Sequence, residues 1–222
     1  MNKEEFIFSK RWSFDHQYRQ NLTLDLGKPL YLAGTDEAGR GALAGPIVVA
    51  AVVLPPFYDN HELRDSKKMT VLQRERLFHE IQEVSLSFTI EIIDHREVEI
   101  LNPKGASKVG MIKCLKTLVP QPQYCLIDAE KLPGLPFQSA SLIKGDDLSL
   151  HIAAASVLAK VTRDHIMMAY HESYPLYNFA KNKGYGTAEH LANLNEFGPC
   201  PIHRKTYQPV QLAIAKQMNF IF

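Results

Sequence analysis

Apolar positions along this chain fall in short blocks parted by polar, proline- and glycine-bearing stretches, and their period changes from block to block. Residues 30–36 and 46–54 are apolar and rich in β-branched side chains, which predicts two strands; residues 86–93 alternate, as a partly exposed strand does. Between them, residues 70–84 open on a capping Thr70 and carry Leu72, Leu77, Phe78 and Ile81 at helical spacing. Residues 103–118 predict a second helix, with Met111, Ile112, Leu115 and Leu118 on one side. The short apolar run 124–128, between Pro122 and Pro133, reads as a buried strand ending in Asp128.

Three further helices are expected: a long one over about residues 149–172, one from Thr187 to near Gly198-Pro199, and a last one over 207–218. Residues 174–186 break the pattern with proline, asparagine and glycine, and residues 1–29 give no strong signal, fitting either a short helix laid against the sheet or a partly mobile segment. The chain therefore divides into an N-terminal segment (1–29), an α/β domain (30–173) and a C-terminal helical appendage (174–222) too small for its own core.

Composition narrows the class more than the function. With 222 residues, 45% of them hydrophobic, this is an ordinary globular chain rather than a disordered one. Cys114, Cys125 and Cys200 show no CxxC spacing, and no signal-peptide pattern opens the chain, so a reducing, cytoplasmic setting is expected. No apolar run approaches the roughly 20 residues that cross a bilayer. A formal net charge of +1 gives no overall reason to expect nucleic acid, although residues 160–222, with seven basic and four acidic side chains, are mildly basic.

Candidate chemistry gathers at the element ends. Asp36 and Glu37 adjoin where the first strand stops, at once followed by the turn Gly39-Arg40-Gly41; Asp128 closes another strand, and Asp146 precedes the long helix. Asp146 alone reads as readily as a cap or turn former, and Asp147 beside it leaves the register open by one residue. A set of three or four carboxylates without cysteine or histidine favours Mg²⁺ or Mn²⁺ over zinc. Two such ions can activate water and stabilise the leaving oxygen of a phosphodiester without a covalent nucleophile. GxSxG, GxxxxGK[ST], HExxH and GxGxxG patterns are all missing from the sequence. The glycines of Gly39-Arg40-Gly41 let backbone approach a sugar or phosphate, with Arg40 as a donor.

Residues 34–46 (GTDEAGRGALAGP), Asp65-Ser66-Lys67-Lys68, Ile127-Asp128, Lys144-Gly145-Asp146, residues 152–156 with Lys160 and Arg163, Lys183-Gly184-Tyr185-Gly186-Thr187 with His190, and His203-Arg204 together resemble bacterial ribonuclease HII, the type 2 ribonuclease H. That resemblance implies an RNase H-like mixed sheet flanked by helices, and a metal-dependent endonuclease acting on the RNA of RNA–DNA hybrids and on single ribonucleotides embedded in duplex DNA. It implies cutting 5′ of the ribonucleotide to leave 3′-hydroxyl and 5′-phosphate ends. Asp36, Glu37, Asp128 and Asp146 would be the catalytic metal ligands for two Mg²⁺ or Mn²⁺ ions. Gly39, Arg40 and Gly41 would contact the ribose 2′-hydroxyl and its phosphates, and Tyr185 would reach that hydroxyl and stack on the next, deoxy, sugar. A monomer is expected, with the appendage contributing to substrate binding; ribonuclease HIII is the nearest rival, and a non-catalytic hybrid-binding module a more distant one.

Other residues keep two readings. Ser66 and Lys67 suit either phosphate contact or a solvated turn, the small residues 152–156 suit close packing on the sheet, and His190, His203 and Arg204 receive no role. The tail Gln217-Met218-Asn219-Phe220-Ile221-Phe222 is loosely similar to peptides that dock on sliding clamps; the alternative is that its aromatics pack on their own domain.

Overall fold

The computed structural model describes residues 9–26, 30–63, 66 and 69–218. Its centre is a five-stranded mixed sheet of order β3-β2-β1-β4-β5. Strands β1 (Leu32–Ala38), β2 (Ile47–Val53) and β3 (Ser87–Ile93) pair antiparallel in turn, while β4 (Tyr124–Asp128) pairs parallel with β1 and with β5 (Gln138–Leu142).

All of β2 is buried because the sheet is covered on both faces. Val48, Ala50 and Val52 face helices α2 (Val71–Val84) and α5 (Leu150–Ser173); Ile47, Val49, Ala51 and Val53 face α3 (His95–Thr117). An unbroken apolar run is what such two-sided burial selects. Helix α5 lies directly over β1, and its small residues Ala153, Ala154 and Ala155 are fully buried there. Gly34 permits that approach: a Cβ at this position would come within 2.5 Å of the Ile152 backbone nitrogen, and backbone cannot step aside. Gly34→Ala is therefore expected to destabilise the protein by about 3 kcal/mol or more, read as a lowered thermal midpoint. An unchanged midpoint would refute this account of α5 packing.

Most expected elements form, with informative differences. β1 continues through Glu37 to Ala38, because Asp36, Glu37 and Ala38 still pair with Ala50, Val49 and Val48; the two acids lie inside the strand rather than at its end. Leu72, expected on the apolar face of α2, is 83% exposed, and Leu77 and Ile81 carry the packing instead. The predicted start at Pro103 is a kink inside α3, where Asn102 adopts φ 56° and its side chain accepts from the Gly105 N–H at 3.0 Å. The polar edge strand β5 has no apolar signature and is missed by hydrophobic patterning.

Helix α1 (Lys10–Leu26) is longer than residues 1–29 suggest. It docks through Trp12 and a buried polar group in which Asp15 meets His151 Nδ1 at 2.6 Å and Arg19 meets His151 Nε2 at 3.0 Å. Residues 174–186 hold a 3₁₀ turn (Pro175–Tyr177) and α6 (Phe179–Asn182); α7 (Ala188–Phe197) and α8 (Gln208–Met218) follow. This part packs on Leu43 and Ala44 of the loop after β1, and Ala44 forms a β-bridge with His203. Among the described residues, no helix is long and apolar enough to cross a membrane.

Candidate active site

The end of β1, the loop that follows it and the middle of α5 enclose a cleft of about 450 Å³ lined by Asp36, Glu37, Gly39, Arg40, Gly41, Ser66, Ser156, Lys160 and Tyr185. Residues far apart in sequence meet here because β1 is central in the sheet and α5 crosses it. Ser156, Lys160 and Arg163 stand at i, i+4 and i+7 of α5, one face of the helix, turned toward the loop.

Asp36 is 7% exposed and accepts from the Glu37 N–H at 2.7 Å. Burial first, then the neighbouring charges of Glu37 and Asp128, hold its carboxyl well above the usual range; hydrogen bonds from the Ser156 side chain and the Glu37 backbone pull the other way. Ser156 Oγ in turn lies 3.0 Å from Ser66 Oγ, so Ser66, 3% exposed, is a buried support of the cleft wall. Lys67 lies outside the described residues.

The four expected carboxylates converge unequally. Asp36 and Glu37 share the cleft, and Asp128 acts on Asp36 electrostatically from the end of the adjacent strand β4. Asp128 Oδ1 accepts from the Gly145 N–H at 2.7 Å, which ties it to α4 (Gly145–Leu148), the short helix carrying Asp146. Arg11 of α1 reaches the same helix, donating to the Asp146 carbonyl at 3.0 Å. Among the described residues no three histidine, cysteine or acidic side chains make a ready-closed metal cage. Clustered like charges keep apart by repulsion, and the oxygen-only donor set fits a hard divalent cation, whose charge would relieve what burial and Glu37 impose on Asp36.

Arg40 bridges two acids, meeting Glu130 at 3.0 Å and Glu37 at 3.2 Å. Glu130, 5% exposed, also takes Lys108 at 3.6 Å and Lys104 at 3.9 Å, and so anchors the turn to α3. Sequence patterning passed over Glu130, whose only signal is its place two residues beyond Asp128.

Two buried arginines hold the loop from behind. Arg163, fully buried, donates to the carbonyls of Pro46 (2.9 Å), Lys183 (2.8 Å) and Ala44 (3.1 Å). Arg204, also fully buried, donates to Gly45 (3.0 Å) and Arg40 (3.1 Å), and the Tyr207 hydroxyl donates to the same Arg40 carbonyl at 2.6 Å. Gly39 takes φ +96°, and a Cβ there would overlap the Arg163 side chain, so glycine is needed for conformation and for space. The Tyr185 ring sits 5.2 Å from the Arg163 guanidinium and 5.9 Å from Lys160 Nζ. Lys160 is itself paired with Asp164 at 2.6 Å.

The ribonuclease HII family model matches residues 33–210. The chain is 48% identical over 177 residues to the ribonuclease HII of Caldanaerobacter subterraneus subsp. tengcongensis, covering 80% of this chain and 73% of that one. The fold is similar to that of ribonuclease H2 from Pyrococcus horikoshii, with a TM-score of 0.72 and 24% identity over 85% of this chain and 98% of that one. It is also similar, at a TM-score of 0.63 and 18% identity, to Bst ribonuclease HIII in complex with Mn²⁺, over 84% of this chain and 70% of that one.

Proposed function

Since the chain belongs to the ribonuclease HII family and is a ribonuclease H acting on RNA–DNA hybrids, we propose that it also incises duplex DNA on the 5′ side of a single embedded ribonucleotide, leaving 3′-hydroxyl and 5′-phosphate ends. One observation carries the reading: the Asp36–Glu37 acids, the Gly39-Arg40-Gly41 turn and Tyr185 line one cleft, so a group that reads a 2′-hydroxyl is beside the groups that would cut next to it. The 2′-hydroxyl is what distinguishes RNA from DNA at a single nucleotide.

Asp36, Glu37, Asp128 and Asp146 would hold the divalent metal, two ions of Mg²⁺ or Mn²⁺. Metal bound there supplies an activated water and a counter-charge for the leaving oxygen. The chain's own groups do the rest. Ser156 and the Glu37 N–H orient the Asp36 carboxylate. The backbone of Gly39 and Gly41 offers donors to the ribose and its phosphates without side-chain obstruction, and Lys160 faces the same cleft as a cation for the phosphodiester. The Tyr185 ring, with the Arg163 guanidinium 5.2 Å from its centre, lines the cleft and would stack on a sugar lacking a 2′-hydroxyl.

On a duplex with one internal ribonucleotide and Mg²⁺ or Mn²⁺, an internal cut is expected at its 5′ side; stepwise loss from an end would point to an exonuclease. Tyr185→Ala is expected to lower kcat/KM on that duplex by about tenfold or more while costing less on a uniform hybrid, with Tyr185→Phe between wild type and Ala. Equal losses on both substrates would remove Tyr185 from junction recognition.

A sliding-clamp partner for the tail rests on less. Residues 219–222 lie outside the described structure, and Gln217 packs against Gly198, so the start of the tail touches its own domain. Deleting residues 217–222 and measuring clamp binding and stability separately tests it.

A further inference from the structure

His190 and His203 received no role from their spacing, yet both are fully buried and their Nε2 atoms are 3.0 Å apart. The backbone around them fixes their protons. The Cys200 N–H lies 3.0 Å from His203 Nδ1 and can only donate, so Nδ1 accepts and the His203 proton is on Nε2. That proton then points at His190 Nε2, which must accept, leaving the His190 proton on Nδ1, 2.9 Å from the Tyr185 carbonyl. One direction therefore runs through the whole chain: Cys200 N–H to His203 to His190 to Tyr185. Both rings must be neutral for it to close, and burial does hold both below the usual histidine value, His203 to about 4.

The surroundings suit orientation rather than proton transfer to substrate. Tyr177 stands edge-on to His203 at 4.8 Å between ring centres, Phe179 edge-on to His190 at 5.4 Å, and the Tyr177 hydroxyl donates to the Gly198 carbonyl at 2.6 Å. Neither histidine lines the cleft. The two ends of the relay nevertheless attach to both parts of it. His203 bridges Ala44, and its neighbours continue the contact: Arg204 N–H to the Leu43 carbonyl at 2.8 Å and Gly45 N–H to the Ile202 carbonyl at 2.9 Å. His190 bonds the Tyr185 carbonyl, which also accepts from the Thr187 N–H at 2.8 Å.

We propose that His190 and His203 are positioning residues for substrate discrimination: a buried neutral relay that fixes Tyr185 relative to the glycine-rich loop, so that the two readers of a ribose and its deoxy neighbour keep their spacing. The inference rests on the reading of Tyr185 as the junction-recognising group. Without the relay the Gly184–Tyr185 peptide keeps its bond from the Leu43 N–H at 2.8 Å, but the Tyr185 carbonyl is left with the Thr187 N–H two residues on, so the end of the peptide that carries the ring loses its tie to His203. Selectivity for the junction should then fall before catalysis itself does.

The test measures kcat and KM of the full chain with Mg²⁺, on a single-ribonucleotide duplex and on a uniform RNA–DNA hybrid, well below every variant's melting temperature. His190→Phe keeps the ring volume and removes both bonds; kcat/KM on the single-ribonucleotide duplex should fall about tenfold, chiefly through KM, against less than about threefold on the hybrid. His190→Asn retains a donor where Nδ1 stood but not the bond to His203, and should therefore lose selectivity to an intermediate degree, as His203→Met does. His203→Met, which leaves His190 without its donor, should shift selectivity in the same direction as His190→Phe and serves in its place if that variant does not fold. Parallel losses on both substrates, or full recovery of selectivity by Asn without the bond to His203, would overturn the relay. Tyr185→Ala in the same assay separates the layers: if it alters selectivity and the histidine variants do not, only the relay fails; if it leaves selectivity unchanged, the Tyr185 reading fails and the relay with it.

Discussion

Asp36→Asn is expected to abolish measurable cleavage, with a loss of at least about a hundredfold on any RNA–DNA hybrid, and at the same time to raise the thermal midpoint by a few degrees in metal-free buffer. Both effects have one cause. The Asp36 carboxyl is buried and pressed by Glu37 and Asp128, so its charge is disfavoured in the folded chain. A carboxyl raised above its unfolded value binds protons in the folded state that it releases on unfolding, so its contribution to stability is lost as pH climbs through that interval. Above the unfolded carboxyl value the wild type bears an increasing share of this cost as pH rises. Asparagine keeps the shape and the acceptor for the Glu37 N–H without the charge. Adding Mg²⁺ should stabilise the wild type more than the variant, because the cation relieves a repulsion the variant no longer has. Thermal melting with and without Mg²⁺, beside a cleavage assay, checks the pair of outcomes. A variant that melts lower than wild type without metal, or that still cleaves, would refute the assignment.

Arg163→Met should lower stability by about 3 kcal/mol or more and the thermal midpoint by about 6–12 °C. Its guanidinium serves the carbonyls of Pro46, Lys183 and Ala44, and methionine would leave these buried acceptors without donors. Arg163→Lys should not rescue, since one ammonium cannot reach carbonyls that a planar fork spans. Gly39→Ala is expected to fail in the same way, by displacing Arg163 and by straining a backbone at φ +96°. Because Pro46 and Ala44 belong to the loop after β1 and Lys183 precedes Tyr185, surviving protein should show a raised KM for substrate. A melting temperature within a degree or two of wild type would rule out the arginine as the fastener of this loop.

Much of the scaffold can be read from the chain. Strands β1, β2 and β4 follow from apolar runs that two-sided burial requires, and α2, α5 and α7 start at Thr70, Ser149 and Thr187, whose side chains accept from the backbone of the first turn. Family membership was likewise legible, because the residues of the glycine-rich turn and the strand-end acids are contiguous or regularly spaced. Edge strand β5 and the first part of α3 were not, since exposed edges and short kinked helices carry little periodic signal. The candidate site divides in the same manner: Asp36, Glu37, Arg40 and Tyr185 stand out in sequence, whereas Glu130, Lys160 and Ser156 enter the picture through helix α5 crossing β1 and through the Arg40 contact.

By itself, then, the sequence determines the layered α/β arrangement and the residue types that carry the chemistry, because both depend on local periodicity and on neighbours along the chain. Only the tertiary structure decides what holds them in place. A buried arginine or histidine is spelled like a surface one, and the difference for Arg163, Arg204, His190 and His203 lies in partners 13 to 164 residues away. Those long-range bonds exist only where α5 and the C-terminal helices pack against the loop that follows β1.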